Sequence, residues 1–363
     1  MANQFPKYTI VLKDASGNQW DFERATGIKW EKYENNVGRC TFQLPYDDPK
    51  IDQALSNDEQ MFDILIYRNG SLVWQGYVAF ILDTIDKVAV YGLDYMEWLK
   101  WYRCQYNVTY TDKKIGTEII TPEWNTIAGR ANVVLGSRIT KGTVEDPYTT
   151  GTTTAKTIKR QMFNEDFFSL VSEMVAISSA DSPSGAWEQN TVFEITHSET
   201  TPTFNFWRNK GSNQADVVFE LGSEIVDFYI PKDYRFINND LIGYSIISGP
   251  SVITSTTSDA TSISKYYRRE LSPVFGSLTK QEELTEKVKN FLKENKDPKR
   301  DIRIAFAAGL TPFNGYSMGD NVQIRIKRGR FDIKEYMRVV GMEVSMDDSG
   351  SEQVSPIVRK LRT

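Results

Sequence analysis

The sequence predicts a mainly β fold with some α. Three observations point there: an apolar hairpin, "MFDILIYRNGSLVWQGYV" at 61–78; a similar strand layout near the C-terminus, with "VVGMEV" at 339–344; and only a few intervening stretches with helical spacing. Asn69-Gly70 favours a primed two-residue turn, so Arg68 faces Ser71 and the pairing runs back through Ile66 and Val73. One face then carries Phe62, Ile64, Ile66, Val73 and Tyr77, and the other Leu65, Tyr67, Leu72 and Trp74. A hairpin with water behind it alternates more cleanly than this, so both faces are expected to be covered.

Residues 1 to about 110 are strand-rich. "YTIVLKD" (8–14), "CTFQLP" (40–45), the hairpin and "KVAVYG" (87–92) are β-prone runs punctuated by Gly, Asn, Asp and Pro. "LDYMEWLKWYR" (93–103) follows as a short helix with Leu93, Met96, Leu99 and Trp101 on one side. A small barrel or sandwich closed by a helical plug is expected, with Trp74 packed on the plug and Val73 and Tyr77 on the opposite face. "VEDPYTTGTTTAKT" reads as a surface loop. "NEDFFSLVSEMVAIS" (164–178) reads as a helix with Asn164 as N-cap and Phe167, Leu170, Val171, Met174 and Val175 as its apolar stripe.

Residues 190–247 return to strands, and "SGPSVITSTTSDATSIS" (248–264) reads as a long hairpin or mobile loop. Residues 279–295 form a helix: Thr279 and Glu282 have capping-box spacing, Leu284, Val288, Phe291 and Leu292 make its buried side, and Asp297-Pro298 stops it. In the last stretch, Val322, Ile324 and Ile326 alternate with Gln323, Arg325 and Lys327. "WQGYV" and "VVGMEV" put Gly76 and Gly341 in similar places, as a duplicated barrel would, although two such short matches also arise by chance.

A chain of 363 residues has room for about two or three domains. Its 43 Lys and Arg are interspersed with 48 Asp and Glu for a formal net charge of -5, so free DNA and anionic membranes are poor partners. A lumen through which DNA slides without sticking tolerates that balance. Two cysteines (Cys40, Cys104) and one histidine (His197) rule out a Cys/His zinc cluster and leave at most one disulfide. No signal-like start or spanning-length apolar window is present, so no membrane insertion is expected.

Catalytic constellations are thin. There is no Gly-x-Ser-x-Gly, His197 reads as the end of a strand, and "GLTPFNGYSMG" lacks the Gly-Lys-Ser/Thr of a phosphate loop. "DDSG" (347–350) shares letters with an aspartic-protease signature but reads as a polar turn. Asp94 and Glu97 sit on one short helix, whereas glycoside hydrolysis needs two carboxylates facing each other across a sugar. Arg325, Lys327, Arg328 and Arg330, with "YYRRE" (266–270), are suited to a protein contact or to solvation more than to nucleic acid. No catalytic, cofactor or metal site is expected.

Three stretches together resemble the baseplate hub or tail-associated proteins at the tip of long-tailed bacteriophages. They are "FDILIYRNGSLVWQGYVAFI" with "KVAVYGLDYMEWLKWYR"; "NEDFFSLVSEMVAIS" with "TPTFNFWRNKG" and "SEIVDFYIPKDYRFINNDLIGYS"; and "GDNVQIRI" with "YMRVVGMEVSMDD". The resemblance implies two related small β-barrel hub domains plus inserted α+β domains. The first barrel would span 1–110, an inserted α+β region 111–235, the second barrel with its loop and helix 236–348, and a polar tail 349–363. It carries over structural residues only: Trp74, Gly76 and Tyr77 in the first barrel, and Val340, Gly341 and Met342 in the second, as interface or barrel-packing candidates.

The resemblance further implies a homotrimer forming a pseudo-sixfold ring that continues the tail tube and gates DNA passage. The expected neighbours are a distal tail or tail-tube protein, a tape measure protein and other tail-tip or receptor-binding proteins, with DNA passing without specific binding. The expected location is the virion's tail tip or baseplate, after assembly in the host cytoplasm. Relatives continue into a hydrolase, an endopeptidase or a receptor-binding extension, for which the sequence to Thr363 leaves no room. The competing readings are a cell-wall or carbohydrate-cleaving tail enzyme using Asp or Glu, and a carbohydrate-binding host-attachment module using exposed aromatics.

Overall fold

The computed structural model describes residues 6–55, 61–148, 154–162, 164–178, 191–229, 232–248, 251–275, 278, 281–298, 301–307, 315–347 and 350–360. The N-terminal strands are β1 (Tyr8–Lys13), β2 (Gln19–Phe22), β3 (Thr26–Tyr33), β4 (Asn36–Pro45), β5 (Asp63–Arg68), β6 (Ser71–Asp83) and β7 (Lys87–Asp94), with α1 (Pro49–Leu55) before β5 and a 3-10 turn (Tyr95–Lys100) after β7. The middle holds β8 (Thr109–Lys114), α2 (Thr121–Ala128), β9 (Thr140–Val144), β10 (Thr157–Gln161), α3 (Phe167–Ser178), β11 (Val192–Thr196) and β12 (Thr203–Trp207). Then come β13 (Asn213–Glu220), β14 (Ile225–Tyr229), β15 (Asp240–Ser248), β16 (Ser251–Ser258), α4 (Ala260–Tyr266), β17 (Glu270–Leu271) and α5 (Gln281–Asn295). The chain closes with β18 (Asp301–Phe306), β19 (Asn321–Arg328), β20 (Phe331–Met346) and β21 (Glu352–Lys360).

The two expected β-barrels are not found: among the described residues, no sheet closes on itself. One open sheet of 13 strands runs β14-β18-β21-β20-β3-β4-β7-β6-β5-β1-β2, with β13 joined through β19 to β20. The cause is β20, 16 residues long. On one edge it pairs first with β19 and then, from Gly341 to Ser345, with β3; its other edge carries β21. A strand from the end of the chain thus lies beside one from its beginning. Both parts then bury their apolar faces in a single core, in which Trp30, Phe42, Ile64, Ile66 and Trp74 pack with Ile324, Met337, Met342, Val344 and Val358.

Within the expected polar tail, 349–363, the described residues include a strand. Residues 352–360 are β21, held between β18 and β20, with Val354, Ile357 and Val358 buried.

A second core lies under the 3-10 turn, α2 and α3, with β11 and β12; it collects Trp98, Trp124, Phe167, Leu170, Phe193 and Phe204. The expected stripe of α3 is buried at Phe167, Leu170, Val171 and Met174. Its cap is Asp166, not Asn164: the Asp166 carboxylate accepts from the Ser169 amide at 2.8 Å. A third, smaller core sets Leu284, Val288 and Leu292 of α5 against Leu241 of β15. Thr279 of the expected capping box lies outside the described residues. The 248–264 segment supplies β16, which pairs with β15, and then α4, capped by Asp259 through the Ser262 amide at 2.7 Å. Cys40 and Cys104 are free thiols in different cores, and no helix among the described residues is long and apolar enough to cross a membrane.

Candidate functional site

The six residues singled out in the sequence lie on the two longest strands, β6 and β20. Along the hairpin, Asp63 pairs with Tyr77, Ile64 with Gly76, Leu65 with Gln75 and Ile66 with Trp74, but Tyr67 pairs with Leu72. Val73 is therefore an extra residue, a β-bulge, and side chains beyond it change face relative to a regular register. Trp74 does not reach the plug, as the regular register requires. It is fully buried in the sheet core, and its indole Nε1 donates to the Glu31 carbonyl at 3.1 Å. Tyr77 takes the place against the plug instead, its ring 5.4 Å from that of Trp98 and 5.4 Å from that of Trp101.

Gly76 has no room for a side chain: a Cβ there would lie 2.2 Å from the Leu93 carbonyl oxygen and 2.5 Å from the Trp74 ring. On β20, Val340 is the residue displaced where the pairing with β21 slips between Val339 and Gly341, and its carbonyl accepts from the Glu34 amide at 3.0 Å. Gly341 faces Tyr33 on β3 and Ile357 on β21, and a Cβ would lie 2.9 Å from the Tyr33 ring. Met342 is buried in the shared core. The two trios thus occupy separate strands, one on β6 with Tyr77 beneath the plug and Trp74 in the sheet core, and one at the junction of β3, β20 and β21.

Several structural residues escaped the sequence reading. The Glu352 carboxylate, at the start of β21, accepts from Arg68 Nε at 2.8 Å and from its terminal nitrogen at 2.6 Å, and also from the Tyr8 hydroxyl. This buried group ties the first strand and the hairpin to the last strand. Arg338 pairs with Glu34 and donates to the carbonyls of Lys210 and Gly319 at 2.9 and 2.5 Å. Asp94 caps the plug, accepting from the amides of Met96 at 3.0 Å and Gly38 at 2.6 Å. Burial outweighs these bonds and pushes its carboxyl up to about 7. No local pattern marks the partners of Glu352 and Arg338, which come together only when distant strands pair.

Catalytic alternatives fare poorly on geometry. Asp94 is a buried cap, while Glu97 pairs with Lys100 at 2.7 Å. His197 hydrogen-bonds the Val73 backbone, and burial, with Lys32 nearby, pushes its imidazole well below the usual range. Burial also pushes both thiols up. Asp347 accepts from the Ser351 amide at 2.9 Å in a turn; Asp348 and Ser349 lie outside the described residues. Glu31 and Glu343 both border a 420 Å³ groove over β3, β4, β20 and β21. The Tyr33 hydroxyl hydrogen-bonds both carboxylates, 2.8 Å from each. Among the described residues, no group of three or more His, Cys, Asp or Glu could hold a metal ion.

No family model matches the sequence, and no curated protein matches it by sequence. Solved structures do match. The 43 kDa tail protein of prophage MuSo2 from Shewanella oneidensis superposes with a TM-score of 0.65 at 15% identity, over 97% of this chain and 98% of that one. A tail protein from Neisseria meningitidis MC58 gives a TM-score of 0.62 at 10% identity, over 98% and 97%. Prophage tail protein gp18 from Listeria monocytogenes EGD-e gives 0.56 at 10% identity, over 98% and 95%. The resemblance read from the sequence holds at the level of architecture: the chain has, almost end to end, the fold of the tail proteins of phages and prophages.

Proposed function

We propose that this chain is a structural subunit at the distal tip of a phage-like tail, where three copies form a pseudo-sixfold ring that continues the tail tube and gates DNA passage. The observation that carries the reading is the end-to-end likeness to tail proteins, over 97% of this chain and 98% of the Shewanella prophage protein. Its neighbours are the tail-tube protein, the tape measure protein and other tail-tip proteins, and its place is the virion, after assembly in the host cytoplasm. Buried ties such as Arg68 to Glu352 and Arg338 to Glu34 link distant strands of each subunit, and among the described residues β2, β13 and β14 end the sheet with an edge free for a neighbour's strand. The role is assembly rather than turnover; the bonds that tie the Glu31 and Glu343 carboxylates to the Tyr33 hydroxyl support this. DNA passes without specific binding, which the net charge of -5 favours.

Light scattering over a range of concentrations, with the chain alone and mixed with the tail-tube protein, tests the ring. The mass of three chains is expected. A mass of one chain in every mixture contradicts it.

A further inference from the structure

The β6–β7 hairpin ends in an exposed tip, Asp83 to Asp86, in which Ile85 is 92% exposed. Tyr46 is bound to it through its amide and the Asp86 carbonyl at 3.3 Å, and exposed Phe80 and Tyr91 lie behind it with rings 5.7 Å apart. Elsewhere on the sheet, the turn between β19 and β20 and the edge strand β14 enclose a groove of 380 Å³, lined by Phe228, Tyr229, Arg328, Arg330 and Phe331, with Asp227 at its side. Phe228 and Phe331 form its aromatic floor, with rings 5.7 Å apart, and the Arg330 guanidinium lies over the Phe331 ring at 5.2 Å. An apolar side chain between two acids at the tip thus matches an aromatic groove flanked by two arginines.

Each surface also carries one opposing charge, Lys87 beside the tip and Asp227 in the groove lining, against two acids and two arginines respectively. At the tip, Lys87 is engaged by Gln43 at 2.8 Å and Asp47 by Arg24 at 3.2 Å. At the groove, Asp227 accepts from the Phe228 amide at 2.8 Å, and Asp332 lies opposite Lys327. Among the described residues, Asp83, Asp86, Arg328 and Arg330 have no ion-pair partner within the chain. Five strands (β4, β3, β20, β21 and β18) stand between β7 and β14, so tip and groove lie on different parts of the sheet.

We propose that the tip Asp83–Asp86 of one copy docks in the Arg328/Arg330 groove of a second copy, with Ile85 seated on the aromatic floor between Phe228 and Phe331. The contact joins two different surfaces, so a rotation of one third of a turn, repeated, closes three copies into a ring. It rests on the trimeric reading above and assigns the residues that make it. It also gives the basic turn of the last hairpin a protein partner.

Sedimentation equilibrium of the full chain, under conditions where the wild type associates, tests the contact. Asp83→Lys with Asp86→Lys, and separately Arg328→Glu with Arg330→Glu, are each expected to weaken association by about tenfold or more. The chain with all four substitutions is expected to regain it, because both sides are then reversed. All four positions are exposed, and an unchanged melting curve verifies folding. A trimer whose size no reversal moves overturns this contact and leaves the ring standing. A wild-type chain that is monomeric at every concentration, with or without the tail-tube protein, overturns both.

Discussion

Trp74 lies directly opposite Ile66 because β6 carries one residue more than β5, at Val73. That single residue sends the largest side chain of the hairpin into the sheet core and leaves Tyr77 to stack on Trp98. Both faces of the hairpin are covered, one by the shared core and the other by the plug. Replacing the fully buried Trp74 by Ala is expected to cost about 3–5 kcal/mol, read as a lower urea midpoint at unchanged slope. A midpoint equal to wild type contradicts the packing.

Gly76 and Gly341 both lack space for a methyl group, but what they meet differs. A Cβ at Gly76 runs into the Leu93 carbonyl, which is fixed by strand pairing; one at Gly341 meets the side chains of Tyr33 and Ile357, which can turn. Gly76→Ala is expected to cost about 3 kcal/mol or more and Gly341→Ala about 1 kcal/mol. Equal losses in thermal unfolding contradict the distinction.

Arg68→Met strands the Glu352 carboxylate, whose side chain is 1% exposed, with the Tyr8 hydroxyl as its remaining side-chain donor. The expected loss is about 3–5 kcal/mol, and the double change Arg68→Met with Glu352→Met is expected to lose less, since no buried charge is then left alone. A double variant as unstable as the sum of the two singles contradicts the coupling.

Asp94 links stability to pH. Its carboxyl is raised from the ordinary 3.8 to about 7, so the folded state binds this proton more tightly than the unfolded chain does. The resulting stability is fully present below the unfolded pKa and is lost as pH rises from about 4 through about 7. Asp94→Asn is expected to flatten that decline. Parallel pH profiles of wild type and Asp94→Asn in urea unfolding contradict the assignment.

Local structure was legible where periodicity and turn chemistry speak directly. Asn69-Gly70 marked the hairpin, the Phe167-to-Met174 stripe marked α3, and Leu284, Val288 and Leu292 marked the buried side of α5. What the sequence concealed depends on long-range pairing. The Val73 bulge has no compositional signature, and it reversed the roles of Trp74 and Tyr77. The pairing of Gly341 with Tyr33 spans most of the chain; it opened the expected barrels into one sheet and drew 352–360, expected as a tail, into the middle of it. The buried partners Glu352 and Arg338 lie in strands where a charge ordinarily signals solvent, so their ion pairs became visible only in three dimensions.

The central claim, a ring at the tail tip, is tested most directly by a cryo-electron microscopy map of the assembled tail particle with this chain fitted into it. Three copies around the axis at the distal end of the tube are expected. A map with the chain off the axis, or away from that end, contradicts the account.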